Sequence, residues 1–447
     1  MHKQQQIDRL QEENNRLKAR LLYQERTAKE APFGSSTPSS KQAIKLNSLE
    51  DNQKKIGGAK VGHVGSGRCD PAPEDFTRTE RVDGLQQCPD CGVDLVSKGF
   101  QKRTVIDVVP VRKEVIAYQL HSCACPKCRR VFTPPAPGVF SRNLYSNRLL
   151  AHLAHEHYVH GITLGYLTKQ LNLNHGTVIQ AMHALAIRLE SILKKLQQQY
   201  RQAKVRHADE TGWRNDGKNG YAWLFCTPTL SLFRFPQTRS GKVPLEMFGS
   251  KPRKGVLVVD RYKAYNRVLC QKQYCYAHLL REVKDLTKEF PELTEVQQFV
   301  DRFAPLLSDA MKLRTVGLKI KEFQRQALQL KTRIQQIVES VAQHPGIQRI
   351  QNIFRENAEN LYHWITHPDI PAENNRAERE LRPLVIARKL SFGSQSERGL
   401  KTREILMSVL NTLNKRTEDG FSKLTSALNA LASDPKGDPY NLLFNSS

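Results

Sequence analysis

Apolar residues recur along the chain at helical or strand spacing, in blocks that polar segments separate. Residues 1–30 predict one helix, in which Leu10 and Leu17 share one heptad position and Ile7 and Leu21 share another. Because the repeat is short for a coiled coil, two interpretations stay open. The helix is either a short zipper between protomers or an amphipathic helix that packs on its own chain.

A polar segment follows the predicted helix. Residues 31–75 are rich in Ser, Gly and Lys, as in FGSSTPSSKQ and KKIGGAKVGHVGSG, and contain few large apolar residues. Such a composition cannot bury enough apolar surface to fold alone, so it predicts a flexible basic linker. Its lysines could follow DNA phosphates, although a solvated tether is the preferred interpretation.

Residues 76–140 contain two Cys-Pro-x-Cys sequences and, between them, the strand-like runs TVIDVVPV and VIAYQLHSC. A Cys-x-x-Cys turn presents two thiolates to one ion, and structural zinc binds four such ligands in a tetrahedron. The spacing therefore predicts a zinc-binding module with a β-hairpin between its halves. Its four predicted ligands are Cys88, Cys91, Cys125 and Cys128. Cys123 could replace one of them, and His121 is a weaker candidate.

Residues 141–203 have a helical pattern. The apolar face that runs from Leu164 to Leu171 is interrupted at Asn172 and Asn174 and then resumes, which predicts a helix, a short turn and a second helix. A helix-turn-helix would place its second helix in the major groove of DNA. Two ordinary packed helices explain the pattern equally well, so both interpretations stay open.

From residue 204 the pattern changes to short strands. VRHAD ends in Asp209, GYAWLFCTP and LSLFRFP follow as two more strands, VPLEMFG predicts a helix, and the buried strand GVLVVD ends in Asp260. This order is typical of the opening of a ribonuclease H-like fold. Both aspartates are then expected at the ends of strands that can lie side by side.

The composition narrows the possible partners. The chain has 447 residues, about three domain lengths, with 69 Lys and Arg against 44 Asp and Glu and a net charge of +25. Such an excess favours a polyanionic partner. No long apolar run or signal peptide is found, so we expect no membrane partner and a cytoplasmic location. Paired cysteines among a total of nine indicate metal binding rather than disulfides.

The aspartates suggest a metal-dependent chemistry. Nucleic-acid cleavage uses two magnesium ions about 4 Å apart, held by oxygen ligands. Burial of an aspartate at the end of an apolar strand is energetically unfavourable unless its carboxylate binds a ligand or contacts water. Asp260 could also start a turn. A third carboxylate would come from a helix in IPAENNRAERELRPLVIARKLSFGSQSERG, where Glu373, Glu378 and Glu380 are candidates. Glu378 also fits a capping box with Asn375, and the pattern alone does not rank the three.

Four stretches together resemble the insertion-sequence 66 family of bacterial transposases: HADETGW, VVDRYKAY, CYAHLLREVKDL and ENNRAERELRPLVIARKLSFGSQSERG. The leader helix, the GGAKVGHVG linker and the paired cysteines extend the resemblance over nearly the whole chain. The resemblance implies a transposase of the acidic-triad (DDE) type. The triad would be Asp209, Asp260 and Glu378, which would hold two magnesium or manganese ions.

Residues 279–370 are dominated by helix-forming sequence and are too long for an undecorated ribonuclease H fold. They resemble the helical insertion of several DDE transposase groups, which carry a Cys-x-x-His motif after the second aspartate. Cys275 and His278 fit this motif, with packing or strand positioning as their implied role. The resemblance also implies three residues that face DNA phosphates, namely Arg281, Arg388 and Lys389. Ala387 departs from the family pattern, which often has Gly there.

The predicted fold class is a multidomain α/β chain. A ribonuclease H-like catalytic core, formed by 204–278 and 371–433, is interrupted by an all-helical insertion and preceded by the zinc-binding module and a coiled-coil helix; residues 434–447 form a tail. The predicted function is cleavage and strand transfer of DNA at the ends of an insertion element. Implied partners are double-stranded DNA at element ends and target, a second copy of the chain, and element-encoded helper proteins. The expected location of the protein is the bacterial cytoplasm, in association with the nucleoid.

Two alternatives remain from the sequence. One is a non-catalytic DNA-binding regulator with zinc-finger and helix-turn-helix parts, and intact acidic residues at all three motif positions argue against it. The other is a structure-selective nuclease with the same fold and metals. Strand joining distinguishes the two enzymes, because a nuclease cuts DNA whereas a transposase also transfers the 3′ end.

Overall fold

The computed structural model describes residues 143–445 without a break, and before them 111–124, 126, 131–132, 134–141 and single positions between 6 and 93. Residues 43–114 form one unit and the rest of the chain another, to which all elements named below belong. In the predicted leader helix, the described positions Gln6, Glu13, Asn14 and Leu17 are helical. The predicted linker lies outside the described residues except for Glu74.

Among the described residues from 123 to 202, a short hairpin and four helices precede the main sheet. The elements are β1 (Cys123–Ala124), β2 (Val131–Phe132), α1 (Asn147–Tyr158), α2 (Leu164–Gln170), α3 (His175–Leu189) and α4 (Ser191–Gln202). The turn between α2 and α3 uses Asn172 in the left-handed region (φ 48°), which asparagine tolerates better than most residues. Asn174 then caps α3, because its Oδ1 accepts the Thr177 N–H at 2.9 Å.

The run VIAYQLHSC does not form the predicted strand. Residues 111–122 contain no strand, and the described residues up to 141 pair only at Cys123 with Phe132 and at Ala124 with Val131. A strand needs a partner for its backbone groups and a buried face for its side chains. Val115 is instead 88% exposed, so this stretch has no covered face.

Five strands form the main sheet in the order β5-β4-β3-β6-β7. Their bounds are β3 (Val205–Asn215), β4 (Lys218–Thr227), β5 (Leu230–Arg234), β6 (Val256–Val259) and β7 (Gln271–Tyr274). The first three strands pair antiparallel, whereas β6 runs parallel to both β3 and β7. All four residues of β6 are buried, as expected for a parallel strand covered on both faces.

Asp209 lies inside a strand rather than at its end, which corrects one detail of the sequence-based expectation. The antiparallel pairing of β3 with β4 continues from His207 to Asn215 and keeps the backbone extended beyond Asp209. The parallel pairing with β6 stops earlier, at His207 and Val258. The pairing with β4 thus extends β3 beyond the end of β6, its neighbour on the other edge.

Helices cover the sheet and follow it in the chain. They are α5 (Lys242–Phe248), α6 (Tyr276–Glu289), α7 (Thr294–Lys312), α8 (Ile320–Val338), α9 (Pro345–Glu356), α10 (Ala358–Leu361), α11 (Asn375–Ser391), α12 (Glu397–Arg416), α13 (Gly420–Ser433) and α14 (Pro439–Phe444). Helix α12 packs on β5, where the Ser408 and Thr412 hydroxyls accept strand N–H groups. None of the helices in the described part of the chain is long and apolar enough to cross a membrane.

The histidine near the end of α1 predicts an acid-sensitive fold. The His157 Nδ1 lies 2.7 Å from the Ile162 carbonyl, and Arg403 contacts its Nε2 at 3.0 Å. Burial, and then the Arg403 charge, lower the pKa of His157 to about 3. Because this pKa lies below that of an unfolded histidine, about 6.5, stability present above that pH is lost as the pH falls toward 3.

On acidification from about pH 7 to pH 4.5, we expect the free energy of unfolding to fall by about 2 kcal/mol less in His157→Asn than in the parent protein. The figure is kept to this size because the ring is only partly buried. Urea unfolding at the two pH values measures the difference. His160→Asn serves as the control, because His160 is exposed on the same segment. An identical pH dependence in His157→Asn and the parent protein would contradict this assignment.

Candidate functional site

Strand register brings the two aspartates together. Asp260 follows β6 directly, and Asp209 lies two residues beyond His207, whose parallel partner is Val258. Continuing that register by two residues places Asp209 opposite Asp260. The sheet therefore presents both carboxylates at the point where the parallel pairing ends.

Helix α11 adds a third carboxylate to this point. Burial, followed by the nearby charges of Glu210, Asp260 and Glu378, raises the pKa of Asp209 well above its usual value. Burial also raises the pKa of Asp260, with Glu378 contributing in the same direction. Each of the predicted triad carboxylates keeps part of its surface in contact with solvent. The structure thus gathers Asp209, Asp260 and Glu378 in one half-buried cluster.

The aspartates are oriented by backbone groups. One Asp209 oxygen accepts the Glu210 N–H at 2.9 Å, and one Asp260 oxygen accepts the Tyr262 N–H at 3.0 Å. Each bond fixes one oxygen of the carboxylate. The carboxylates therefore have defined orientations before any ligand binds.

Glu210 is a fourth carboxylate of the cluster, which the sequence analysis did not single out. Its side chain is 2% exposed and accepts hydrogen bonds from Arg239 at 2.6 and 3.0 Å and from the Tyr265 hydroxyl at 2.6 Å. Burial and then Asp260 raise its pKa to about 7. The only sequence signal is its position next to Asp209, because Arg239 and Tyr265 are distant in the chain.

Asn374 holds the start of α11 against the sheet. Its Oδ1 lies 2.9 Å from the His207 Nδ1, its Nδ2 donates to the Ala208 carbonyl at 2.8 Å, and its backbone N–H donates to the Cys275 sulfur at 3.1 Å. The predicted capping box is absent, because Asn374 is the N-cap and makes no side-chain cap. The tertiary contacts use the Asn374 side chain instead.

We expect Asn374→Ala to lower the free energy of unfolding by about 2 to 3 kcal/mol, because it leaves two buried groups of β3 without partners. It should also displace Glu378, which lies one turn into α11. Denaturant unfolding measures the first effect. Asn375→Ala is the matched control, since its side chain has no hydrogen bond within residues 143–445. Equal stability of the two variants would refute the anchoring role.

Cys275 and His278 lie beside Glu378. Their ligand-type atoms and a Glu378 oxygen are all within 4.8 Å of one another, and the His278 Nε2 is 3.8 Å from the Glu378 Oε1. Burial raises the pKa of the Cys275 thiol to about 12, so the thiol stays protonated. The Glu378 Oε1 and the His278 Nδ1 are buried without a hydrogen-bond partner in the described part of the chain. Such orphaned groups leave the cluster able to accept a cation.

The other two carboxylate candidates are committed to ion pairs. Glu380 lies 2.7 Å from the Lys415 amine and accepts the Ser231 hydroxyl at 2.8 Å. Glu373 lies 3.6 Å from Arg314. Neither is among the charges that raise the pKa of Asp209 or Asp260.

The predicted phosphate-binding residues have different surroundings. Arg388 donates to the Thr211 hydroxyl at 3.2 Å and to the Gly212 carbonyl, so it braces α11 against β3. Lys389 is exposed on the same helix. Arg281 is exposed on α6; burial lowers the pKa of His278, and the Arg281 charge acts in the same direction. Two of the three side chains are therefore available to a ligand at the surface.

The predicted zinc ligands Cys88, Cys91, Cys125 and Cys128 lie outside the described residues. Cys123 is described: it is exposed in β1, and its sulfur lies 3.7 Å from the His121 Nδ1. A groove of about 960 Å³ lies between α7 and α8, and none of the clustered carboxylates lines it. The candidate site is therefore the acidic cluster at the sheet.

A mixed sheet with clustered carboxylates, covered by helices, defines an α/β protein with an acidic site. Residues 142–402 match the family model "Transposase IS66 family", and residues 86–129 match "zinc-finger binding domain of transposase IS66". Since the first match covers more than half of the chain, the protein belongs to the IS66 transposase family. This confirms the predicted membership and an architecture of a zinc-finger domain followed by a transposase domain.

The chain is also similar to a curated protein. The chain is 24% identical over 402 residues to the uncharacterized protein y4qI of Sinorhizobium fredii, a match that covers 79% of this chain and 72% of the relative. All three triad candidates lie inside the transposase match, and the four predicted zinc ligands lie inside the zinc-finger match.

Proposed function

We propose that this chain is a DNA transposase with a ribonuclease H-like core, which binds the ends of an insertion element, cuts them and joins the freed 3′ ends to target DNA. The observation that carries the proposal is the cluster of Asp209, Asp260 and Glu378, contributed by three separate elements of an IS66-family chain. The strand order β5-β4-β3-β6-β7, with three antiparallel strands followed by two parallel ones, supports the core assignment. Residues 204–278 and 371–433 form this core, and 279–370 are its insertion.

The cluster fits two divalent cations, magnesium or manganese. Asp209, Asp260 and Glu378 offer the oxygen ligands that such hard ions prefer, and the Glu378 Oε1 accepts no hydrogen bond from the part of the chain that the structure describes. Burial, and in addition the repulsion from neighbouring carboxylates, raises the pKa of Asp209 and of Asp260, and a cation would offset that repulsion. When bound, the ions supply activation of the attacking oxygen and stabilisation of the leaving oxygen.

The surrounding side chains have positioning roles in this proposal. Glu210, held by Arg239 and Tyr265, braces the aspartates from within the protein. Asn374 fixes the helix that carries Glu378, and Cys275 accepts its backbone N–H. His278 borders the open Glu378 oxygen. The exposed Arg281 and Lys389 contact phosphates, whereas Arg388 positions α11.

DNA recognition belongs, in this proposal, to the parts that precede the core. The helix pair α2–α3 has the connection of a helix-turn-helix, and the net charge of +25 favours a polyanion. Synapsis of two element ends needs at least two copies of the chain. The predicted leader zipper would join them, and element-encoded helper proteins complete the proposed assembly.

A strand-transfer assay tests the proposal. Purified protein is incubated with magnesium and labelled duplexes that carry the sequences bordering its own gene. We expect a product with a free 3′ hydroxyl and a joined product in target plasmid, both abolished by EDTA. Cutting without joining would support a nuclease instead, and binding without cutting would support a DNA-binding regulator.

The zinc-finger match gives a separate prediction. We expect one zinc ion per chain, bound by Cys88, Cys91, Cys125 and Cys128, because two Cys-x-x-Cys pairs complete a tetrathiolate shell. Elemental analysis of the purified protein measures the ratio. The double variant Cys88→Ser with Cys125→Ser should lose the zinc, whereas Cys123→Ser should keep it. Zinc retained by the double variant would overturn the assignment.

A further inference from the structure

An exposed aromatic side chain stands at the C-terminal end of α11. Phe392 is 75% exposed, and its backbone lies in the left-handed region with φ of 57°. Its N–H donates to the Arg388 carbonyl at 2.8 Å, which makes Phe392 the residue that ends the helix. Glycine usually occupies this position, because a side chain there is strained. A large apolar residue is therefore kept at a strained, exposed position where glycine would be more stable.

The loop that carries Phe392 is fixed to β3. The Ser394 N–H donates to the Arg214 carbonyl at 2.9 Å, and the Ser394 carbonyl accepts the Asp216 N–H at 2.8 Å. A Cβ on Gly393 would lie 2.1 Å from the Arg214 oxygen, so this close approach requires glycine. The ring of Phe392 thus projects from a loop that is firmly attached to β3, the strand that carries Asp209.

The surface that leads from the acidic cluster to Phe392 is both apolar and basic. Ile386 and Leu390 are each 57% exposed on α11, and Arg382 and Lys389 are exposed beside them. No acidic side chain within residues 143–445 forms an ion pair with either of these two cations. A second copy of the chain would bring the same positive charges, whereas DNA would neutralise them. The charge therefore favours DNA as the occupant.

Two elements give the distance from the cluster to Phe392. Glu378 lies in the first turn of α11 and Phe392 directly follows its last residue, and at about 1.5 Å per residue they are separated by about 20 Å. Asn215 lies on β3 where the loop that carries Phe392 is attached. The distance along β3 from Asp209 to Asn215, at about 3.3 Å per residue, is also about 20 Å. At about 3.4 Å per base pair, DNA cut at the cluster would meet Phe392 about six base pairs away.

We propose that Phe392 is a base-stacking wedge, which contacts an unstacked base of the bound DNA about six base pairs from the cut phosphate. Aromatic side chains stack on any base, and apolar wedges open base steps at the cost of a local distortion. The inference rests on the proposed transposase function, because the distance is measured from the acidic cluster. It adds a DNA contact outside the triad and outside the predicted phosphate-binding residues.

Fluorescence of 2-aminopurine tests the wedge. The base analogue is placed at successive positions of the element-end duplex, and binding is measured with Asp260→Asn protein so that the DNA stays uncut. We expect a fluorescence increase confined to a position about six base pairs from the cleavage point. Adding Phe392→Gly should remove this signal and weaken binding about tenfold, which corresponds to about 1.4 kcal/mol. Phe392→Trp should restore both.

Controls separate this role from folding and from self-association. Phe392→Gly relieves the left-handed strain, so its thermal midpoint should equal or exceed that of the parent. Val341→Ala, at an exposed apolar residue of the insertion, should leave the signal unchanged. An unchanged signal in Phe392→Gly, or a smaller oligomer without DNA, would overturn the wedge. If the unsubstituted chain neither binds nor cuts, the proposed function fails first; if it cuts normally with Phe392→Gly, only the wedge fails.

Discussion

Asp260→Asn is expected to lower the rate of DNA cleavage by about a thousandfold or more while leaving DNA binding intact. Loss of one charge weakens metal binding and the stabilisation of the transition state, which is worth several kcal/mol at about 1.4 kcal/mol per tenfold in rate. The amide oxygen of asparagine can still accept the Tyr262 N–H, so the local turn is kept. Single-turnover cleavage of element-end duplexes in magnesium measures the effect.

Stability measurements distinguish this loss from misfolding. Asp209, Asp260 and Glu378 repel one another without a cation, so removing one charge should keep or raise the thermal midpoint in EDTA at neutral pH. Asp209→Asn and Glu378→Gln should behave in the same way. Glu373→Gln is the matched control, because Glu373 precedes the same helix but pairs with Arg314. Cleavage by Asp260→Asn at near the parental rate would refute the triad assignment and the proposed mechanism.

DNA affinity is expected to fall by about a thousandfold or more between about 50 and 200 mM salt, if six or more phosphates are contacted. The reason is counterion release, because a chain with a net charge of +25 displaces counterions from the DNA phosphates when it binds. Fluorescence anisotropy at several salt concentrations gives the slope of log affinity against log salt. A slope near zero would contradict electrostatic DNA binding by this chain.

Single substitutions refine the salt experiment. Lys389→Gln and Arg281→Gln should each reduce the slope by about one, because both side chains are exposed. Arg388→Gln should instead lower stability, because the Arg388 guanidinium is hydrogen-bonded to Thr211 and Gly212. An equal slope reduction in all three variants, without loss of stability, would show that Arg388 is a phosphate ligand rather than a brace.

Local sequence determined β6, the turn after α2 and the family. The apolar run before Asp260 defines β6 because a parallel strand is buried on both faces. The two asparagines after α2 define a turn because Asn172 tolerates the left-handed backbone and Asn174 caps α3. The motifs around Asp209, Asp260 and Glu378 were sufficient to identify the family that the chain comparison confirmed. These features depend on residues close in sequence.

Only the tertiary structure decided how the cluster is built. Glu210 joins it through Arg239 and Tyr265, which are 29 and 55 residues away. The sequence pattern predicted a capping box at Asn375, yet the N-cap is Asn374, and its side chain bonds to β3, 166 residues earlier. In the strand-like run VIAYQLHSC only Cys123 pairs with another described residue, whereas β3 extended beyond Asp209 because β4 pairs with it further than β6 does. Partners brought together by folding determine these features, because burial and pairing depend on the whole chain rather than on the neighbouring residues.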